Sequence, residues 1–170
     1  MDPNWLKEFK ENSIYRLDES ERMIGRALEI LPTERFWEQP NPSSNSVGNL
    51  LLHLCGNLRQ YVVSGLGGAP DHRNRTREFL PQPNLGQQET WALFTGTLAE
   101  VRQAIHQAGE EEYLKVRSVQ GFRLSGLGMV LHAVEHLSYH TGQIAYAVKA
   151  WENKDLGFYD AMDLNVKNED

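Results

Sequence analysis

Apolar residues recur at three- and four-residue steps over four long stretches of this chain, a rhythm that commits it to packing helix against helix. In the first stretch Leu6, Phe9, Ile14, Leu17, Ile24, Leu28 and Leu31 fall mostly at these steps until Pro32 stops the run. The second follows a Pro/Ser/Asn cluster from Pro40 to Ser46. It runs from about Val47 to Ser64, with Ser or Asn available to cap its start and Gly65, Gly67 and Gly68 to end it. The third sets Trp91, Phe94, Leu98, Val101 and Ile105 in a narrow seam of the kind that packs in bundles, and Gly109 closes it. The fourth starts near Ser125 and carries Leu127, Val130, Leu131, Val134, Leu137, Ile144, Val148 and Trp151. At about 1.5 Å per residue it is roughly 40 Å long.

The connections set the topology. A short, proline-rich link between the first two helices favours antiparallel neighbours. About twenty residues, Leu66 to Gly86, separate the second helix from the third. A loop that long is uncommon in a bundle unless it crosses from one end to the other, which leaves helices two and three parallel. Between Tyr113 and Leu124 a weak alternation around Gln120-Gly121 predicts a short two-stranded excursion. The polar tail after about residue 153 contains Phe158 and Tyr159, which can pin part of it down. The expectation is an all-α four-helix bundle with a long crossover between helices 2 and 3, forming a single domain over residues 1–170.

Charge narrows the partners. The formal net charge is −6, with Lys and Arg interspersed among Asp and Glu, whereas nucleic-acid phosphates require a basic face. No stretch approaches the roughly 20 apolar residues that span a bilayer, and no apolar run with a basic flank marks a leader. The single cysteine, Cys55, rules out an internal disulfide and fits a reducing cytoplasm. It reads best as a small buried hydrophobe.

Six histidines remain, and four of them stand beside apolar stripes. His132, His136 and His140 form a row at four-residue spacing along the fourth helix, so neighbouring pairs share one face and can meet one ion. His53 lies among Leu50, Leu51, Leu52 and Leu54 on the second helix. Buried histidines need partners, and burial favours the neutral form that ligates metal. Spacing alone leaves two readings open: histidines satisfied by hydrogen bonds within the core, or a three-nitrogen metal site with an open position. His132, Glu135 and His136 also match H-x-x-E-H, the inverted zinc-peptidase signature with Glu135 as base. That chemistry needs an acidic ligand on a later helix, and only 34 residues, mostly tail, follow His136. His136 and His140 lie deeper in the helix and precede Gly142, whose cost to a helix implies close packing against another one. They are the preferred pair.

The segments HLSYHTGQI (136–144) and NSVGNLLLHLCGN (45–57), with a long helix before them, resemble those of the DinB-like superfamily of four-helix bundles, in particular an uncharacterised branch of it. The resemblance extends over nearly the whole chain in element order. It implies a divalent metal, nickel or zinc, held by His53, His136 and His140. It also implies homodimers and, in some relatives, transfer or isomerisation reactions that use the metal to activate the sulfur of a small thiol. The expectation is therefore a divalent-metal-binding protein acting on a small molecule as a thiol-dependent transferase or a hydrolase. The alternative is a non-catalytic bundle that binds metal or a small ligand. Candidate catalytic groups are His132, one turn from His136, and Glu135. Candidates for holding a cofactor or substrate are Asn57 and Gln60, one and two turns beyond His53, and Arg73 and Arg75 in the crossover, where alternating arginines could receive carboxylates.

Overall fold

A computed structural model describes residues 5–80, 82 and 84–168. Four helices form the bundle: α1 (Trp5–Ile30), α2 (Val47–Leu58), α3 (Gln87–Gln107) and α5 (Gly126–Glu152). A short helix α4 (Glu110–Leu114) and a hairpin of β1 (Val116–Val119) and β2 (Phe122–Ser125) stand between the last two. The hairpin confirms the weak alternation, and its turn explains why it is tight. Gln120 and Gly121 both take positive φ, 50° and 82°, as a two-residue turn between right-twisted antiparallel strands requires. Helix α4 has no counterpart in the sequence pattern, being too short to show a period.

Each bundle helix buries most of the stripe that its sequence repeats, Leu131 of α5 being the exception at 58% exposed. Leu17, Ile24 and Leu28 of α1, Leu51, Leu54 and Leu58 of α2, Phe94, Leu98 and Val101 of α3, and Val130, Leu137 and Ile144 of α5 form one core. Caps sit where serine precedes a helix. Ser46 accepts the Asn49 N–H at 3.1 Å, and Ser125 accepts that of Gly128 at 3.2 Å. At the far end of α5, Asn153 adopts a left-handed conformation (φ 48°) and closes the last turn. The tail is pinned as expected: Arg22 and Arg26 donate to the carbonyls of Phe158 and Leu156 at 3.1 and 3.2 Å.

Cross-links between helices fix their directions. Lys10, near the start of α1, donates to the carbonyls of His106 and Ala108 past the end of α3, while Gln87 at the start of α3 reaches Leu28 near the end of α1. These two helices are antiparallel. Arg59 pairs with Glu100, and further on Gly67 lies against Ala104, so the second and third helical segments run parallel. The chain between them does cross the length of the bundle, and a 3₁₀ turn (Arg75–Phe79) lies against α2 on the way.

One departure lies at the end of the second helical segment. The α-helical pattern stops at Leu58, and Arg59–Leu66 is a π-helix. In this wider coil Gly65 sits so close to α5 that a Cβ would stand 2.7 Å from the Met129 sulfur. The same stretch places Tyr61 face to face with His132, ring centroids 4.0 Å apart. Among the described residues no helix is long and apolar enough to cross a membrane.

Candidate metal centre

His53 projects from the middle of α2, and His136 and His140 project from successive turns of the antiparallel α5 (Gly126–Glu152). Their ligand-capable nitrogens all lie within 4.8 Å of one another, and the Nε2 atoms of His53 and His136 are 3.0 Å apart. Two nitrogens bound to one ion at about 2.0–2.1 Å with tetrahedral angles stand roughly 3.3 Å apart, so this pair is already near ligand spacing.

The outer hydrogen bonds decide which nitrogen each ring offers. His53 Nδ1 lies 2.7 Å from Glu78 Oε2. Glu78 is buried, which raises its carboxyl pKa, yet the hydrogen bonds from Arg73 and His53 and the charge of Arg73 outweigh burial and hold it below the usual carboxylate range. An ionised carboxylate only accepts, so the proton of His53 is on Nδ1 and Nε2 keeps its lone pair. Arg73 Nη2 also comes within 3.3 Å of that Nδ1, but both groups are donors and converge on the same carboxylate oxygen. That approach is no hydrogen bond. His140 Nδ1 is likewise 2.6 Å from Gln143 Oε1, while the amide nitrogen of Gln143 donates to the Tyr139 hydroxyl at 3.2 Å. His140 therefore also turns an unprotonated Nε2 inward.

Burial disfavours charge on two of the rings. Burial pushes the pKa of His136 down to about 3, helped by the neighbouring imidazoles His140, His53 and His132 and by Arg73. Burial also lowers His140, against the opposing hydrogen bond to Gln143. Three imidazoles whose ring nitrogens converge, two of them held from outside at Nδ1, are a donor set suited to a divalent ion of borderline softness. These residues fit such a metal and could hold one.

The crossover supplies the outer support, and Gly56 explains how it gets so close. A side chain on Gly56 would collide with the Glu78 carboxylate and press on Arg73. Asn49 completes the attachment by donating to the Glu78 carbonyl at 3.0 Å, and Phe79 packs against the His53 ring at 5.0 Å. Sequence reasoning missed Glu78, although it is the one acid in RNRTREF and thus the natural partner of the arginines around it. It also missed Gln143, three residues beyond a ligand candidate on the same helix.

Several expected site residues have other roles. Arg73, expected to receive an anionic ligand, is fully engaged: it forks onto Glu78 at 2.7 and 2.9 Å and donates to Gln60 at 2.9 Å, with its side chain only 3% exposed. Gln60 ties Arg73 to Asp71. Arg75 is exposed, its guanidinium 5.1 Å from the Phe79 ring centre. Glu135 is exposed and makes no ion pair among the described residues. Gly142 does not pack closely either: a Cβ there meets nothing within 4 Å. Cys55 is buried, and its burial pushes the thiol up to about 11.

His132 and Asn57 do border the cluster. The His132 ring lies parallel to that of His136 at 5.4 Å, and its Nε2 accepts from Asn57 Nδ2 at 3.3 Å. Tyr61, stacked on its other face, donates to Gln120 at 2.9 Å. Asn57 Oδ1 is buried without a hydrogen-bond partner among the described residues, a free acceptor in a wall where such groups are normally satisfied.

Solved structures of the same shape come from several bacteria. A conserved protein from Enterococcus faecalis superposes with a TM-score of 0.71 at 15% identity, covering 91% of this chain and 99% of that one. A DinB-like protein from Bacillus cereus gives 0.67 at 14% identity over 88% and 94% of the two chains. A DinB-like protein from Bacillus subtilis gives 0.65 at 14% identity over 85% and 94%. The fold is thus DinB-like. No curated protein matches the sequence. Residues 4–160 match the model of a family described as "Protein of unknown function (DUF1572)", and the chain belongs to that family.

Proposed function

We propose that this protein binds one divalent metal ion, nickel or zinc, through the Nε2 atoms of His53, His136 and His140, and acts with it on a small molecule as a transferase or hydrolase. The observation that carries the reading is the convergence of three imidazoles whose ligand-capable nitrogens lie within 4.8 Å of one another. Glu78 and Gln143 hold Nδ1–H of two rings, so their free lone pairs converge on the third imidazole.

When bound with a coordination position left open, such an ion supplies Lewis acidity, enough to bring a water near neutral pKa or to hold a thiolate. The protein groups divide the remaining work. Glu78 keeps His53 in its ligating tautomer, and Arg73 keeps Glu78 ionised. His132 and the unpaired Asn57 oxygen stand beside the cluster, where they can orient a substrate hydrogen or receive a proton. A thiol co-substrate is compatible with this arrangement, but Arg73 is not its anchor, being spent on Glu78. One observation favours a binding role without turnover: Glu135 faces solvent, so no carboxylate base borders the cluster from α5.

Elemental analysis of the purified full chain tests the site. The expected result is close to one nickel or zinc per chain, lost in His53→Ala and in His140→Ala while helical content stays near that of the parent. Titrating the nickel-loaded protein with a small thiol then separates the two roles. A sulfur-to-metal charge-transfer band indicates an exchangeable position and supports the catalytic reading; an unchanged spectrum supports binding alone. A parent chain that takes up neither metal would end the proposal.

A further inference from the structure

Glu78 and Arg73 also border a hollow of about 490 Å³ between the crossover and helices α2 and α3, and none of His53, His136 and His140 lines it. A volume of that order suits a small molecule. Its floor is apolar: Leu52, Val63, Leu85 and Leu93 are half-buried there, and Cys55 is buried. Its mouth is polar, formed by the exposed side chains of Asp71, His72, Asn74, Arg77 and Glu100.

The ion pairs around the hollow leave one guanidinium uncommitted. Arg59 forks onto Glu100, both bonds 3.0 Å, as Arg73 forks onto Glu78. Asp71 accepts from Gln60 at 2.8 Å and from the Arg73 backbone N–H at 3.0 Å. Arg77 is different. Its main chain is tied down, the N–H donating to Asn74 Oδ1 at 3.3 Å and the carbonyl accepting from Gln82 Nε2 at 3.2 Å. Its guanidinium has no partner among the described residues, although it stands over an apolar floor.

We infer that this hollow binds a small carboxylic acid with an apolar body, its carboxylate on Arg77 and its chain or ring against Leu52, Leu85 and Leu93. A guanidinium fork matches a carboxylate in shape and charge. One free cation balances one negative charge, whereas a phosphate dianion would bring surplus charge towards Asp71, Glu78 and Glu100. An amine would meet Arg77 as a like charge and find each of those three acids already engaged by donors. The site is separate from the histidine cluster and holds whether or not that cluster carries a metal.

Isothermal titration calorimetry of the full chain with octanoate and with 2-naphthoate is the test. At least one of these acids should bind saturably at one per chain, and its uncharged amide about tenfold or more weaker. Arg77→Gln should bring the acid down to the level of its amide. Arg75→Gln, two residues away and outside the hollow, should leave binding unchanged. His140→Ala should bind the acid as the parent does. Several results would overturn the assignment: no saturable binding of either acid, equal affinity for acid and amide, or an Arg77→Gln chain that binds like the parent. Loss of binding in Arg75→Gln, or in His140→Ala, would overturn it too, the latter by placing the carboxylate on the metal centre.

Discussion

His53 can ligate a metal only through a nitrogen without a proton, and Glu78 determines which nitrogen that is. The contact is short at 2.7 Å and closed from water, with both side chains 8% exposed, so the carboxylate acts on the ring at low effective dielectric. Arg73 completes the arrangement, since without its fork the buried Glu78 would tend to protonate and lose its hold. Glu78→Gln should therefore weaken zinc or nickel binding by about 10–100-fold, the usual effect of removing a hydrogen-bonded carboxylate behind a ligating histidine. The same change leaves the Arg73 charge buried without its partner and should cost about 3 kcal/mol of stability in the metal-free chain. Competition against a chromophoric chelator, beside urea unfolding, measures both. Unchanged affinity in the variant would mean that His53 is oriented by something other than Glu78.

At the scale of elements, glycines on two helices separate local propensity from packing. Gly56 in α2 and Gly96 in α3 are both helix-interior positions where alanine is intrinsically better by about 1 kcal/mol. At Gly96 a Cβ meets nothing, so Gly96→Ala should raise stability by roughly 0.5–1 kcal/mol. At Gly56 the Cβ collides with Glu78, and Gly56→Ala should displace the crossover from α2, losing both stability and metal affinity. Thermal melts of the two variants with chelator and with zinc distinguish these outcomes; a gain in both would show that the crossover does not lean on Gly56. The pair also marks how far the sequence can be read. Helices, caps, hairpin and crossover were legible because period, serine and glycine positions and loop length are local properties. The three-histidine cluster was legible through helical spacing on α5 and, for His53, through resemblance. What packs against Gly56 was not legible, because Glu78 comes from 22 residues away along a loop whose path only the folded bundle fixes. The free face of Gly142 was misjudged for the same reason: a helix glycine suggests close approach, but whether any element stands opposite it is fixed only by the folded bundle. The π-helical turn at Arg59–Leu66 leaves no signature in a pattern scored for α-helix alone.

At the scale of the whole molecule, one residue ties the end of the bundle together. Tyr113, on the short helix α4, is fully buried. It meets Phe9 of α1 edge to face at 5.7 Å, donates to the Ile105 carbonyl of α3 at 3.0 Å, and lies where a Cβ on Gly126 of α5 would strike its backbone. Burial raises its phenol well above the ordinary tyrosine range near 10. Linkage gives this a direction. Below about pH 10 the phenol is neutral whether the chain is folded or not, and its contribution to stability is whole. Above that, the unfolded chain releases the proton while the folded one retains it. Stability then falls as pH rises, at up to about 1.4 kcal/mol per unit from this group alone. Tyr113→Phe removes both the titration and the hydrogen bond. It should be about 1 kcal/mol less stable than the parent at pH 8, with the gap closing progressively above pH 10. Urea unfolding of the two chains across that range gives the comparison. Because the other tyrosines and lysines titrate in both, the difference between them isolates Tyr113, and a gap constant to pH 11 would show that this phenol ionises as freely in the bundle as in the unfolded chain.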